Sequence, residues 1–397
     1  MRSTAILDIG SSKIVCLCGS SSVRGSTVVH GAGIAPYSGF SELEFPNETD
    51  LEEAIFSAIR DAEEMARMRI RDVAVAVPVP FSKLILTEST IRMESRKDRI
   101  SADDIDELIS LSLSKAKAPG YVLMHSTPVT FTVDGNETPE VPQGKHAGEV
   151  SATVSHMYVL ESFLNKLSVI LKKMDIEISM CISAQLAASL LLIPEEERVR
   201  PAVLIDVGYS HTDVSTVENA ALSDMTYFDI GGAQFAGDLC YGLGIPMETA
   251  EQVKRKYSFL QENQSKILQI RMLTGVMKVE QRVVDLIMQA RAEEFAGYLS
   301  KSLRLLGVHP ETKPVVYITG GGFSMMRGGS EYLRQRLGLN IRRDMPYMPD
   351  MDTPDFTSAF GALDFVLKTA AQDQEISEEM PESRFGLFKK IRDLFVQ

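Results

Sequence analysis

Apolar and polar residues alternate along this chain with two periods, one typical of strands and the other typical of helices. Short apolar runs at residues 5–9 and 203–207 predict buried strands, because they are rich in β-branched side chains. Residues 51–66 repeat apolar side chains at helical spacing, and residues 49–53 form a candidate capping signal at the start of that helix. The alternation of such strands and helices predicts an α/β fold.

Both predicted strands lead through a glycine turn into a second strand, so one hairpin occurs twice. The turns read Leu-Asp-Ile-Gly at residues 7–10 and Ile-Asp-Val-Gly at residues 205–208, about two hundred residues apart. A third glycine turn, at residues 320–322, follows a predicted strand at residues 315–319. Glycine lets backbone N–H groups approach phosphate oxygens, and an Asp at a strand end can hold a hydrated Mg²⁺. A lone Asp-x-Gly is a common turn, but this repeat predicts a duplicated nucleotide-binding core.

Residues 79–160 interrupt the first copy with a smaller pattern of strands and one amphipathic helix, which begins near Ser101. The strands are predicted at residues 84–93, 121–133 and about 147–155. These elements predict a three-stranded sheet covered by a helix. Residues 134–145 carry Gly, Asn and three carboxylates, which favours an exposed loop.

The first copy then resumes, and the second copy follows with an insertion of its own. The later predicted elements are a helix at residues 161–173, a strand at 176–181, a helix at 184–192, a hinge at 194–198 and a final helix at 357–369. The predicted domains are a first lobe at residues 1–78 and 161–193, an inserted subdomain at 79–160, a second lobe at 194–235 and 307–371, a helical insertion in that lobe at 236–306, an acidic linker at 372–383 and a terminal helix at 384–397.

Composition narrows the class of protein and its location. The chain has 397 residues, 44% hydrophobic and 24% charged, which is typical of a globular protein with two main domains. A net charge of -13 argues against nucleic acid as a partner, because neutralising phosphates needs a basic surface. The four cysteines show no Cys-x-x-Cys spacing, and the first residues show no secretory signal, so reduced thiols and a cytosolic location are expected.

The last residues combine an apolar stripe with a basic face at helical spacing. The apolar positions are Phe385, Phe388, Ile391, Leu394 and Phe395, and the basic positions are Lys389, Lys390 and Arg392. Such a helix is too short to span a bilayer, but it can lie in an anionic membrane surface as a reversible anchor. The alternative is that it packs on the body of the protein or on a partner. Residues 372–383 favour the anchor, because five acidic and no basic residues predict an exposed, disordered tether.

The order and spacing of these segments resemble the superfamily of actin, sugar kinases and chaperone ATPases. Residues 8–13 are similar to its first phosphate loop, residues 206–208 to its second, and residues 318–322 to its adenosine motif. Residues 184–189 and 358–363 stand where its two connecting helices belong.

Within that superfamily the chain looks most like the FtsA family, which are bacterial actin-like cell-division proteins. FtsA proteins carry a displaced subdomain where residues 79–160 are inserted here. The family often has an adenosine-contacting Glu and Lys where Glu251 and Lys254 stand. The C-terminal segment also matches.

This resemblance implies a duplicated actin-like ATPase fold, with a nucleotide cleft between two lobes, and ATP and Mg²⁺ as cofactors. The implied nucleotide-binding residues are Asp8, Gly10, Ser11, Ser12, Lys13, Asp206, Gly208, Thr212, Glu251, Lys254, Gly320, Gly321 and Gly322. Asp8 and Asp206 are expected to hold the metal through water. Gln185 is the candidate for positioning the attacking water, so at most weak ATPase activity is expected.

The resemblance also implies a biological role. It predicts a peripheral protein on the cytoplasmic face of the cell membrane at the division site. Its expected partners are a tubulin homologue of the FtsZ type, further copies of itself in filaments, an anionic membrane surface and other divisome proteins.

One departure from the superfamily pattern lies in the second phosphate loop. Tyr209, Ser210 and His211 stand where the second and third glycines and the next residue are usual. The ring of Tyr209 is expected either to occlude phosphate or to cover it. His211 is a candidate catalytic base, but a turn histidine is favoured, because no carboxylate that orients it is evident beside it.

Two other functions on the same fold remain as alternatives. A small-molecule kinase needs a carboxylate base at the substrate hydroxyl, and the first connecting helix offers Gln185, which is too weak a base. A pilus-assembly ATP-binding protein of the FtsA-like kind is the nearer alternative, although the basic terminal helix has no evident purpose in one.

Overall fold

The computed structural model describes residues 3–22, 25–93, 99–260, 267–272, 275–346, 348 and 351–377. Their contacts divide the chain into two units. The first unit comprises the chain up to Ala202, Thr216–Met225 and the chain from Ser358. The second unit comprises Val203–Ser215 and Thr226–Thr357.

The first half begins with the first copy of the hairpin and ends in a short helix. They are β1 (Thr4–Ile9), β2 (Lys13–Ser21), β3 (Thr27–Pro36), α1 (Glu48–Ala66), β4 (Asp72–Val77), β5 (Ser82–Arg92), α2 (Ala102–Lys115), β6 (Tyr121–Val133), β7 (Asn136–Thr138), β8 (Glu149–Leu160), α3 (Glu161–Lys172), β9 (Glu177–Ser183) and α4 (Ala184–Leu192).

The second half begins with the repeated hairpin and ends in a long helix. Its elements are β10 (Ala202–Val207), β11 (Thr212–Glu218), β12 (Ala221–Phe228), α5 (Gly232–Leu243), α6 (Met247–Lys256), β13 (Ile267–Met272), β14 (Gly275–Glu280), α7 (Gln281–Leu305), β15 (Val316–Thr319), α8 (Gly329–Leu337), β16 (Ile341–Arg343) and α9 (Thr357–Ser377).

Two five-stranded sheets share one topology, which confirms the predicted duplication. The first has the order β3-β2-β1-β4-β9, and the second has the order β12-β11-β10-β15-β16. In the first sheet β1 pairs antiparallel with β2 and parallel with β4, and in the second β10 pairs parallel with β15. The Asp-x-Gly phrase therefore stands at the carboxyl end of the central strand of each sheet.

The strands of the first hairpin are packed tightly in the core of the first sheet. Leu7, Ile9, Ile14 and Cys16 are fully buried beneath helices α1 and α3. Helix α1 approaches β3 so closely that a Cβ atom on Gly33 would lie 1.8 Å from the carbonyl oxygen of Ala58. The start of α1 differs from the prediction. Its N-cap is Asn47, whose side chain accepts a hydrogen bond from the N–H of Asp50. Residues 49–53, which were predicted to cap the start of the helix, therefore lie inside it.

The inserted subdomain has four strands among the described residues, in the order β5-β8-β6-β7, and not the three that the sequence predicts. The short strand β7 lies within residues 134–145, which were expected to form a loop, and pairs with the end of β6. Helix α2 covers one face of this sheet through Leu108 and Ile109. It begins at Ser101 with a complete capping box to Asp104, as its predicted start requires.

The insertion in the second half is not wholly helical. Between α6 and α7 the chain forms the antiparallel pair β13 and β14, where the sequence predicts part of a helical insertion at residues 236–306. Buried Ile270 and Val279 alternate with exposed neighbours in these strands, and this alternation is the strand signal that was missed.

The final helix α9 differs from its prediction at its end and in its contacts. It continues to Ser377, so residues 372–377 of the predicted acidic tether are helical. From Ser358 onward its contacts are with the first unit, where Thr27 Oγ1 donates to Asp364 at 2.8 Å. Residues 378–397, which include the rest of the tether and the terminal amphipathic segment, lie outside the described residues. Among those described, no helix has the length and apolar character needed to cross a membrane.

Candidate nucleotide-binding hairpins

Hydrogen bonds to backbone carbonyls close the first hairpin and join it to the residues after β3. The N–H of Gly10 donates to the carbonyl of Lys13 at 3.1 Å. The hydroxyl of Tyr37 donates to the carbonyl of Gly10 at 2.7 Å, and its N–H donates to the carbonyl of Ser12 at 3.1 Å. Gly39, at φ +82°, approaches Ser11 so closely that a Cβ atom would lie 2.3 Å from its carbonyl oxygen. The loop after β3 therefore fixes the shape of this turn.

Asp8, at the end of β1, carries a buried carboxylate with a hydrogen bond from Ser358. Oγ of Ser358 donates to Oδ1 of Asp8 at 2.9 Å. Burial raises the pKa of Asp8 to about 6, although the hydrogen bond from Ser358 and the charge of Lys13 act to lower it. A divalent cation nearby, even one held through water, would favour the charged carboxylate. The environment of Asp8 therefore fits a metal-bound water.

The second hairpin closes with the same bond, since the N–H of Gly208 donates to the carbonyl of His211 at 3.0 Å. The glycine triplet packs directly on it. A Cβ atom on Gly320, at φ +87°, would lie 2.2 Å from Oδ1 of Asp206. One on Gly322 would lie 2.1 Å from the carbonyl oxygen of Gly208. At Gly321 the nearest neighbour of a Cβ atom is Cβ of Asp355, at 2.8 Å, and not the hairpin.

Glu251 and Lys254 lie together on α6, as the resemblance implies. Nζ of Lys254 is 2.7 Å from Oε1 of Glu251 and donates to the carbonyl of Gly232 at 2.9 Å. Burial lowers the pKa of Lys254, while Glu251 acts to raise it. Oε2 of Glu251 is buried and has no hydrogen-bond partner within the described part of the chain. A ribose hydroxyl is a donor that such an oxygen can accept.

Tyr209, the main departure from the superfamily pattern, lies beside this pair. Its ring centroid is 5.9 Å from Nζ of Lys254. Its carbonyl accepts from the N–H of Ala233 at 2.7 Å, which ties the loop to the start of α5. Burial and the charge of Glu251 raise the pKa of Tyr209. The half-buried ring thus extends the surface formed by α6.

His211 lies beside a carboxylate that the sequence analysis did not identify. Its Nε2 is 3.5 Å from Oδ2 of Asp213, and its Nδ1 is 3.2 Å from Oγ of Ser210. Burial acts to lower the pKa of His211, but the charges of Asp213, Asp206 and Asp229 outweigh burial and raise it. The expectation that no carboxylate stands beside His211 was therefore wrong.

Thr212 and Gln185 are more enclosed than their predicted roles suggest. Thr212 is fully buried, and its hydroxyl donates to the carbonyl of Ile230 at 2.7 Å. It therefore stabilises the start of β11 and does not offer that proton to a phosphate. Gln185 is the second residue of α4 and is 2% exposed. Its role in positioning water stays a prediction.

Tyr37 and Ser358 are the contacts of the first hairpin that sequence reasoning missed. Ser358 was placed in a connecting helix by resemblance, but its bond to Asp8 joins residues 350 positions apart. Tyr37 follows β3 and had no local motif to mark it. Contacts of this kind appear only when the sheet has formed.

Family models match two parts of the chain. The model described as "Cell division protein FtsA" matches residues 203–361, and the one described as "SHS2 domain inserted in FTSA" matches residues 82–158. Together they cover more than half of the sequence. The second match falls within the predicted inserted subdomain.

Full-length relatives extend the likeness to most of the chain. Cell division protein FtsA of Pseudomonas aeruginosa is 21% identical over 94% of this chain and 91% of its own length. The protein of that name in Bacillus subtilis is 23% identical over 95% of this chain and 86% of its own length.

Solved structures share the fold at lower identity. The PilM-PilN type IV pilus biogenesis complex has a TM-score of 0.61 at 16% identity, covering 91% of this chain and 97% of that one. MreB5 of Spiroplasma citri bound to ADP has a TM-score of 0.54 at 11% identity, covering 96% of this chain and 99% of that one.

The repeated sheet order, the paired hairpins and these structural neighbours define an actin-like ATPase fold. The two family matches and the long alignments then narrow the class. The chain belongs to the FtsA family of cell-division proteins.

Proposed function

We propose that this protein is an ATP-binding cell-division adaptor. It polymerises at the cytoplasmic face of the membrane and tethers a tubulin homologue of the FtsZ type to that membrane. Membership of the FtsA family supports the division role. The observation that carries the nucleotide part is the pair of Asp-x-Gly hairpins, each closed by the same hydrogen bond at the end of a central strand.

The nucleotide contacts can be assigned by chemistry. Backbone at Gly10, Ser11, Ser12 and Gly208 is suited to phosphate oxygens, and Lys13 supplies a cation. Asp8 and Asp206 are suited to the waters of Mg²⁺, because each ends a strand beside a hairpin. When bound, the metal would neutralise phosphate charge.

The nucleoside half of the proposal rests on the second unit. Gly321 lies between two glycines that pack on the second hairpin, and it offers backbone without a side chain. Oε2 of Glu251, which has no hydrogen-bond partner among the described residues, is an acceptor for a ribose hydroxyl. In MreB5 of Spiroplasma citri, the same fold binds ADP and AMPPNP. That precedent supports a nucleotide of this type here.

The adaptor role is tested by reconstitution on vesicles. Full-length chain, a purified FtsZ-type protein and vesicles with anionic lipid are mixed with ATP and Mg²⁺, and bound protein is measured after flotation. We expect the FtsZ-type protein to float with vesicles only when the full-length chain is present. Deletion of residues 384–397 is expected to leave both proteins unbound. Flotation of the FtsZ-type protein without the full-length chain, or equal recruitment by the deletion variant, contradicts the proposal.

A further inference from the structure

We infer that Ser210, His211 and Asp213 form a proton relay that accepts the proton of a water attacking the terminal phosphate of bound ATP. This inference rests on the proposed nucleotide binding and adds a hydrolytic activity with named groups. It concerns the stretch of the second loop that departs from the superfamily pattern.

The geometry places three groups in a row. Oγ of Ser210 lies 3.2 Å from Nδ1 of His211, and Nε2 of the same ring lies 3.5 Å from Oδ2 of Asp213. The side chains of His211 and Asp213 are only 8% and 11% exposed, whereas Ser210 is half-buried. The row therefore runs from the interior of the second unit to the surface of its hairpin. Such contacts are often long without substrate and tighten when it binds.

Each group has a distinct task. Oδ2 of Asp213 accepts a hydrogen bond from Nε2–H of His211 and so directs the lone pair of Nδ1 toward the hydroxyl of Ser210. Oδ1 of Asp213 is buried and has no hydrogen-bond partner in the described ranges. Its charge therefore remains available to stabilise an imidazolium on His211.

The shape of the hairpin does not depend on this ring. The turn is closed by the backbone bond from Gly208 to the carbonyl of His211. Nε2 of Gln234 donates to the carbonyl of Ser210 at 3.3 Å, and Oε1 of Gln234 accepts from the N–H of Gly231 at 2.8 Å. Atoms other than the ring of His211 therefore close the turn, so a change of this side chain is expected to keep the path of the backbone.

The reaction balances without a further reactant. The water oxygen forms a bond to the terminal phosphorus, and the bond from that phosphorus to the bridging oxygen breaks. The electron pair leaves with ADP. The water proton passes to Oγ of Ser210 while the Ser210 proton passes to Nδ1 of His211, and Asp213 balances the resulting imidazolium. The products are ADP and phosphate, and His211 later releases the proton to solvent.

Single-turnover hydrolysis tests the relay on the full-length chain. Phosphate release from ATP with Mg²⁺ is measured beside calorimetric binding of a non-hydrolysable ATP analogue. We expect His211→Asn and Ser210→Ala to hydrolyse ATP at least about tenfold more slowly than the wild type, since general-base catalysis typically contributes about 100-fold or more. Their affinity for the analogue is expected to change by less than about twofold. Ser210→Thr keeps a hydroxyl and is expected to retain most of the rate. His309→Asn, an exposed histidine of the second unit, is the matched control.

Different results would contradict the proposed relay and the proposed nucleotide binding. If the wild-type chain binds the analogue and His211→Asn hydrolyses at the wild-type rate, or if the wild type does not hydrolyse ATP, the relay is wrong. Loss of analogue affinity together with hydrolysis in His211→Asn would show a structural role and overturn the relay. Phosphate found covalently on Ser210 would overturn water as the acceptor. No analogue binding by the wild type would overturn the proposed nucleotide binding and the relay with it.

Discussion

At the scale of single residues, the buried carboxylate of Asp8 lowers the stability of the folded protein at neutral pH, and the same carboxylate is proposed to hold Mg²⁺ through water. Its carboxylate is buried, and its pKa of about 6 lies above the ordinary value of 3.8. For an acid whose pKa is raised in the folded state, the unfolded state loses its proton first as pH rises. The free energy of unfolding therefore falls between about pH 4 and pH 6 and stays lowered at pH 7.

We expect Asp8→Asn to stabilise the protein at pH 7 and to weaken its response to Mg²⁺. The amide keeps an acceptor for Ser358 and removes the buried charge. A pKa difference of about two units sets an upper limit on the order of 3 kcal/mol for the gain in unfolding free energy. Urea unfolding at pH 7 and pH 5 measures this gain, which is expected to be smaller at pH 5. A variant less stable than wild type at pH 7 would contradict this explanation.

Sequence alone could predict the two hairpins that carry Asp8 and Asp206, because strand, turn and carboxylate are adjacent in the chain. It missed Ser358, whose bond to Asp8 depends on the tertiary fold. The position of Asp213 could have been predicted, because residues two apart along a strand lie on the same side of it. Asp213 is two residues after His211, and the two side chains are neighbours in the structure.

At the scale of elements, a polar seam lies between α2 and the sheet of the inserted subdomain. Nε2 of His156 is 3.1 Å from Oγ of Ser112 and 3.0 Å from Oγ1 of Thr87, and its Nδ1 is 2.7 Å from Oγ of Ser126. Burial lowers the pKa of His156 to about 4, and burial together with His156 lowers the pKa of His125 to about 4. Both rings are therefore neutral in the folded subdomain at neutral pH.

Acid is expected to destabilise this subdomain between about pH 6.5 and pH 4. Because the unfolded histidines take up protons below about pH 6.5 and the folded ones only near pH 4, stability is complete above pH 6.5 and falls between these values. The loss is on the order of 2–5 kcal/mol by pH 4.5. Urea unfolding across this range should show a flatter pH dependence in His156→Gln.

The exposed His146 of the same subdomain provides the matched control. His146→Gln should keep the pH dependence of the wild type. The same flattening in both variants, or none in His156→Gln, would mean that the buried ring does not cause the acid sensitivity.

Element prediction was most accurate where periodicity was long and least accurate where strands were short. Strand β6 and helix α4 have the bounds that the sequence predicts. The three residues of β7 and the pair β13 and β14 were missed, because short strands next to polar residues resemble loops or helices in a single sequence. The N-cap of α1 was misplaced because Asn47 and residues 49–53 offer competing capping signals.

At the scale of the whole molecule, the net charge of -13 contrasts with the basic face of the terminal segment. Half-immersion of its large apolar side chains would contribute about 5–8 kcal/mol before the ordering of a helix is subtracted. The basic residues add up to about 1 kcal/mol each on an anionic leaflet. Attachment to a membrane by this segment is therefore expected to be reversible.

Removal of residues 384–397 should abolish binding to anionic liposomes and leave the thermal unfolding of the body unchanged. Phe388→Asp should release the full-length protein, because a charge enters the apolar stripe. Lys389→Gln should weaken binding modestly and mainly at low salt, where screening is small. Co-sedimentation measures all three. Equal pelleting of the truncated and full-length proteins would show that the segment docks elsewhere.

The duplicated fold could be predicted from the sequence because both copies keep the same hairpin at the same point of the sheet. The grouping of α9 with the first unit could not be predicted from the sequence. It depends on contacts such as that between Gly361 and α4, where a Cβ atom on Gly361 would lie 2.9 Å from the carbonyl oxygen of Ala187. Those contacts join distant parts of the chain.

Calorimetric titration of ATP with Mg²⁺ into the full-length chain tests the central claim most directly. The wild type should bind one nucleotide per chain. Gly321→Val should lose binding, because a Cβ atom there would lie 2.8 Å from Cβ of Asp355 and would shift the glycine turn that is proposed to contact the nucleoside. Gly297→Val is the control, since a Cβ atom there meets nothing within 4 Å, and it should bind like the wild type. Thermal unfolding without nucleotide checks that both variants fold. No binding by the wild type at millimolar ATP, or undiminished binding by folded Gly321→Val, would contradict the account.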